Sequence, residues 1–187
     1  MKKLFIQTLI IFLFFFSYFS EAKDLNGFLS YSTFLSPVDG PYIETYLSIV
    51  GSSVNYVKQE NGMFQGTVEV TMIFRNGDEI VDFSKYEIYS PEVEDTSNIN
   101  FSFIDQQRFL LPNGDYDFEI IISDKNEEKE PYITTEPIVI DFPADSVSLS
   151  DIQLIKSFTK TEESNILTKS GYDLVPNVYN FYPSSIN

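Results

Sequence analysis

The chain has 187 residues and a formal net charge of −16, with no His, no Cys and no Trp. Lacking His and Cys, it cannot run Ser-His-Asp or Cys-His catalysis, use an imidazole base, bind zinc through thiolate or imidazole, or form disulfides, so its core has to hold the fold. A strongly acidic surface also argues against nucleic acid and anionic membrane as partners, because both are bound through clustered cations.

Lys2 and Lys3 precede an apolar run over residues 4–19, and Ser20-Glu21-Ala22 puts small residues at the two positions a signal peptidase reads. Together these predict a signal peptide over 1–22, cleavage after Ala22 and export. The run is at or below the ~17–25 residues that span a bilayer, so no membrane insertion is expected after cleavage. Without Cys there is no lipid-attachment thiol, so the product is expected to be periplasmic or secreted and not a lipoprotein.

Residues 28–35 (FLSYSTFL) read as a strand that stops at Ser36-Pro37-Val38-Asp39-Gly40-Pro41. Residues 42–50 (YIETYLSIV) resume one, with Ile43, Leu47 and Ile49 on one parity. A short strand over 54–59 closes on the turn pair Asn61-Gly62. The clearest signal follows. Val68, Val70, Met72 and Phe74 alternate with Thr67, Glu69, Thr71 and Ile73, giving an apolar face and a largely polar one. Asn76-Gly77 then supplies two residues able to take positive φ in a type I′ turn, and the chain returns from Ile80.

Residues 84–89 are again strand-like and end at Ser90-Pro91. Ile99, Phe101 and Phe103 alternate, and residues 108–111 lead through Pro112-Asn113-Gly114 into the alternation of Tyr116, Phe118, Ile120 and Ile122, which reads as a second long hairpin facing the first across the core. The Leu111-Pro112-x-Gly114-x-Tyr116 pattern is that of a corner in immunoglobulin-like sandwiches, where the Tyr helps seal the turn. Residues 124–130 (DKNEEKE) have to be a solvated loop. Residues 133–142 form a strand in which Ile138, Ile140 and Phe142 share a face, and Pro131 and Pro137 mark an edge or a bulge. Residues 149–158 fit a strand or a short amphipathic helix, and the strand is favoured because Ile152, Leu154 and Phe158 share parity, although Lys156 breaks the pattern. From 161 to 187, Tyr172, Tyr179, Phe181 and Tyr182 occur without a period, giving an extended aromatic tail or the start of a linker to a following domain.

The sum is an all-β, antiparallel, immunoglobulin-like sandwich of about 7–9 strands over residues 23–160, since short strands separated by turn signals are its signature. Little chemistry is on offer. Asp124, Asn126 and Glu128 place oxygen ligands at alternate positions of a loop, as calcium sites do, but without the central Gly and bidentate Glu spacing of an EF-hand. Asp115 with Asp117, and Glu92, Glu94 and Asp95, are the densest carboxylates; Asp115 and Asp117 alternate with core residues and read as the outward parity of their strand. Asn100-Phe101-Ser102 matches a glycosylation sequon within a predicted strand and reads as a chance match. Tyr42, Tyr46 and Tyr56 are the aromatics that could face a ligand. No cofactor is expected.

Three segments carry a family resemblance: residues 33–47 (TFLSPVDGPYIETYL), residues 68–82, and residues 149–154 (LSDIQL). With these the chain resembles the N-terminal part of the GWxTD domain-containing proteins, which are exported. The Gly-Trp-x-Thr-Asp motif itself is absent, as there is no Trp. The resemblance implies an envelope or secreted β-sandwich module and carries over no residue roles. The resulting expectation is a non-enzymatic module that binds a protein partner in the cell envelope; a carbohydrate- or peptide-binding domain using exposed aromatics, and then a carboxylate-based hydrolase, are the alternatives.

Overall fold

A computed structural model describes residues 24–179. The expected signal peptide with its cleavage after Ala22, and the tail aromatics Phe181 and Tyr182, lie outside the described residues. Among the described residues there is no α-helix, and every strand pairing is antiparallel. No helix among them is long and apolar enough to cross a membrane.

Two sheets face each other. The first has the order β1-β2-β6, with β1 (Gly27–Ser36), β2 (Gly40–Val50) and β6 (Ser102–Leu110). In the second, β4 (Phe64–Asn76) pairs with β5 (Glu79–Tyr89) on one edge and with β7 (Gly114–Asp124) on the other, and β7 pairs with β8 (Tyr132–Ile140). The short β3 (Tyr56–Lys58) prolongs the β7 edge of β4, because Ser90 and Val93 take the opposite edge there. The core lies between the sheets. Val68, Val70, Met72 and Phe74 are fully buried, and Phe74 sits 4.6 Å from Phe118 and 4.7 Å from Phe109 between ring centroids. The alternation of β4 therefore has the packing meaning its period implies.

Two local readings need correction. Asn76 pairs with Glu79, so the hairpin loop is Gly77-Asp78 and not Asn76-Gly77; only Gly77 takes a positive φ, 59°. A single left-handed residue at the first loop position is what a Gly-led two-residue turn needs, and a bulge after Phe74 absorbs the one-residue offset. The second correction is larger. β6 and β7 are not a hairpin: β6 bonds to β2 in the first sheet, while β7 bonds to β4 and β8 in the second. Leu111, Pro112 and Asn113 carry the chain across the sandwich. Leu111 is buried and its N–H donates to the Pro41 carbonyl, Asn113 exchanges two hydrogen bonds with the Phe142 backbone, and the Tyr116 hydroxyl donates to the Pro112 carbonyl at 2.8 Å. A hairpin and a crossing corner have the same alternation on both flanks, so only the corner residues distinguish them.

Residues 149–154 are not strand; Ile152 is 85% exposed. A strand, β9 (Ile155–Lys160), begins after them. Residues 161–179 are no free tail either: β10 (Thr168–Lys169) and β11 (Tyr172–Pro176) form a hairpin whose loop residues Ser170 (φ 53°) and Gly171 (φ 79°) are both left-handed, and β11 pairs with β9. This third sheet, ordered β10-β11-β9, covers the outer face of the first. A sandwich boundary at residue 160 would thus cut through a paired sheet.

The corner generates a prediction. Replacing Tyr116 by Phe keeps the buried ring and removes only the hydroxyl, so it should lower stability by about 1 kcal/mol in urea unfolding. An unchanged midpoint would show that the corner does not depend on that bond.

Candidate functional site

The residues singled out in the sequence fall into three places. Tyr42 and Tyr46 flank Glu44 on the outer face of β2, where the third sheet covers them. Glu44 is fully buried. Its carboxylate accepts from Arg108 Nη2 at 2.6 Å, Lys169 Nζ at 2.7 Å, the Tyr46 hydroxyl at 2.6 Å and Gln106 Nε2 at 3.2 Å. Burial alone would raise the Glu44 carboxyl, but the hydrogen bonds from Lys169, Tyr46 and Arg108 outweigh it and hold the group below the usual carboxylate range. Burial and then the Glu44 carboxylate push the Tyr46 hydroxyl well above the ordinary phenol value. The Arg108 guanidinium lies 4.5 Å from the centre of the Tyr42 ring, which itself stacks on Phe34. With Tyr46 only 1% exposed, these rings form no open platform for a ligand. Tyr56 is on β3, half-buried against the core and remote from that cluster. The three tyrosines are not one surface.

Asp124 and Asn126 are committed to Asn55: Asp124 accepts from the Asn55 backbone N–H at 2.6 Å and side chain at 3.1 Å, and the Asn126 side chain donates to the Asn55 carbonyl at 2.8 Å. Glu127 joins them on Asn55, whereas Glu128 is exposed and outside this network. Among the described residues no group of three or more acidic side chains is arranged to hold a metal ion. Asp115 and Asp117 stand exposed on the outer face of β7, and Glu92, Glu94 and Asp95 are exposed in the loop after β5. Asn100 is exposed in the loop before β6, not inside a strand.

What the arrangement offers instead is an open seam between the two sheets. At one side, β5 and β6 are tied by Tyr86, whose hydroxyl donates to the buried Asp105 at 2.6 Å. At the other, β1 and β8 are edge strands with a cleft of about 360 Å³ between them, lined by Leu29, Tyr31, Leu47, Ile120, Ile122 and Tyr132 among others. Ile122 and Tyr132 also line a second hollow of about 410 Å³ that reaches Asp24 and Leu25. Asp24 pairs with Lys129 just before β8, and Tyr31 lies close enough to Glu136 for that charge, after burial, to raise its hydroxyl. The two edges therefore run in the same direction along the cleft.

The hydrogen-bonding direction of each edge follows from the ladders. In a strand, the N–H and C=O of one residue point to the same side and the side alternates. Val50 donates to Asn26, so even-numbered residues of β2 face β1, and odd-numbered residues of β1 face away from the sheet. The bonds of Thr33 with Asp151 and of Leu35 with Ser150 lie on that outward side. On the second sheet, Phe64 and Gly66 bond toward the β5 side, so odd residues of β4 face β7, even residues of β7 face β8, and odd residues of β8 face outward. Ile133 and Thr135 thus present free N–H and C=O groups among the described residues, and Pro137 presents a carbonyl alone. Leu29 and Tyr31 do the same from β1. Pro131 and Pro137 are the sequence signals for this edge; the β1–β8 neighbourhood itself depends on tertiary packing.

No protein-family model, no curated protein and no solved structure matches the chain.

A second prediction concerns the covered cluster. Since the folded-state pKa of Glu44 is depressed, its stabilisation is present above the unfolded value of about 4.3 and is lost as pH falls through the folded value. The E44Q variant should be less stable by about 1–3 kcal/mol at neutral pH and should show a flatter decline below about pH 4.5 in urea midpoints. Parallel decline in both proteins would refute the assignment.

Proposed function

We propose that this chain is a non-enzymatic, exported, immunoglobulin-like module that binds a protein partner by strand addition at the β1–β8 seam. The observation that carries the reading is the pair of codirectional free edges over an apolar cleft, the arrangement in which an extended peptide gains main-chain bonds and side-chain pockets together. Export is supported by the Lys2-Lys3 start, the apolar run and the small-residue site ending at Ala22. The immunoglobulin-like reading is supported by the strand order: β1, β2 and β6 correspond to strands A, B and E of that sandwich, and β4, β7 and β8 to C, F and G, with β5 beside C. The Tyr116 corner falls at the start of the F-like strand. The resemblance to the N-terminal region of GWxTD domain-containing proteins agrees with an envelope module, and its most distinctive run, residues 41–46, builds the β2 strand and its Glu44 anchor.

Hydrogen exchange tests this reading. In the free protein the amides of Ile133, Thr135, Leu29 and Tyr31 should exchange fast while those of Tyr132 and Thr134 are protected, and a peptide with alternating Val and Thr should slow the Ile133 and Thr135 amides. T135P, which removes an outward donor at an exposed edge position, should cost less than about 1 kcal/mol of stability and abolish that slowing. Peptide protection confined to β5 or β6, or none anywhere, would sink the proposal. For export, intact mass of the released protein should place its N-terminus at Lys23.

A further inference from the structure

The partner's chemistry can be read from the same seam, on the premise that the seam receives a strand. We infer that it takes an extended segment with apolar residues at alternate positions and Lys or Arg at its ends. The usable length comes first. On β1, Thr33 and Leu35 are already taken by Asp151 and Ser150, leaving the edge before them open among the described residues. On β8, Pro137 interrupts the row of donors. Both edges are thus open over about five residues, or about 16 Å of extended chain. The alternation comes next. A strand bonded to Ile133 and Thr135 turns every second side chain into the cleft, against the apolar Leu29, Leu47, Ile120 and Ile122, with Thr134 and Glu136 as polar neighbours toward the Tyr31 end. The other side chains continue the outer face of the second sheet.

Charge fixes the ends. Glu127 and Glu130 with Asp24 stand at one end of the hollow, and Glu136 and Asp151 lie near Tyr31 at the other. Among the described residues lining the two hollows the only cation is Lys129, and it is paired with Asp24. A segment with cationic ends therefore meets uncompensated carboxylates, while an acidic one meets repulsion on top of a chain charge of −16. The same charge disfavours a second copy as the occupant, because two like-charged seams would have to meet. The chain's own use of the edge shows that the geometry accepts an added segment: Asp151 donates its N–H to the Thr33 carbonyl at 2.9 Å, and its carboxylate accepts from the Thr33 N–H at 2.7 Å.

The test uses the full exported chain and three fluorescent peptides in anisotropy titrations: an alternating Val-Thr core flanked by Lys, the same core flanked by Glu, and the Lys-flanked core N-methylated at alternate residues to remove donors. The Lys-flanked peptide should bind about tenfold or more tightly than the Glu-flanked one at low salt, and the gap should close at high salt. The N-methylated peptide, and T135P with the Lys peptide, should lose binding. Equal affinity of the Lys and Glu peptides would overturn the cationic assignment and leave strand addition standing; failure of all three would remove strand addition and this inference together. A concentration-dependent dimer in sedimentation without peptide would give the seam to a second copy. Tighter peptide binding by the F181S/Y182S variant would give it to the chain's own C-terminal residues. Either result overturns the proposal.

Discussion

The carboxylate of Glu44 is the constraint around which the layers are arranged. It sits mid-strand in β2 with no exposure, and a buried charge is tolerated only where opposite charge and hydrogen bonds meet it. Arg108 arrives from the neighbouring β6 and Lys169 from the third sheet, so one ion cluster joins elements far apart in sequence. This explains why β2 is buried on both faces although its outward residues are Tyr, Glu and Ser. The inner face packs by area, Ile43, Leu47 and Ile49 against the second sheet. The outer face is matched by polarity.

The position of that third layer decides which edges stay open. Its lead-in, residues 150–153, runs beside β1 and satisfies Thr33 and Leu35, and among the described residues the rest of that edge is uncovered. Across the molecule, Tyr86 and Asp105 close the other seam with a short, partly buried hydrogen bond, and burial together with that carboxylate raises the Tyr86 hydroxyl so that it stays a donor. On the β1–β8 side the polar link among the described residues is the exposed ion pair of Asp24 with Lys129, which lies before both strands begin. The facing side chains are apolar except for Thr134 and Glu136, and the sheets remain apart there. One seam is fastened between its strands and the other only before they begin, which is an asymmetry that a symmetric count of strands would not reveal.

How much of this was legible follows from how local each feature is. The inward face of β4, the parity of Ile43, Leu47 and Ile49, the edge character of β8 and the Tyr116 corner were all readable, because each depends on a period or a residue within a few positions. The β6–β7 crossing was not, since hairpin and corner share their flanking pattern. Neither was the burial of Glu44: Tyr-Ile-Glu-Thr-Tyr reads as a half-exposed strand until Lys169, 125 residues away, is placed on it. Residues 161–179 looked aperiodic because β10 and β11 are too short to show alternation. The open seam depends on which strands become neighbours across two sheets, and on the direction in which backbone groups point, neither of which alternation encodes.

A chain with exposed edges has to avoid pairing with itself, and here the protection is electrostatic and local rather than steric. Phe83 faces outward on β5 and its N–H is taken by the Asp82 carboxylate at 2.8 Å; Pro137 removes a donor from β8; Asp151 occupies β1. On top of these, a charge of −16 opposes any approach of like molecules. All of these devices discriminate against a second copy more than against a cationic segment, because the capping groups are carboxylates and the net field is negative. The acidity that argues against nucleic acid thus has a second physical consequence: it opposes edge-to-edge pairing of like copies and, under the proposed function, favours a segment of opposite charge.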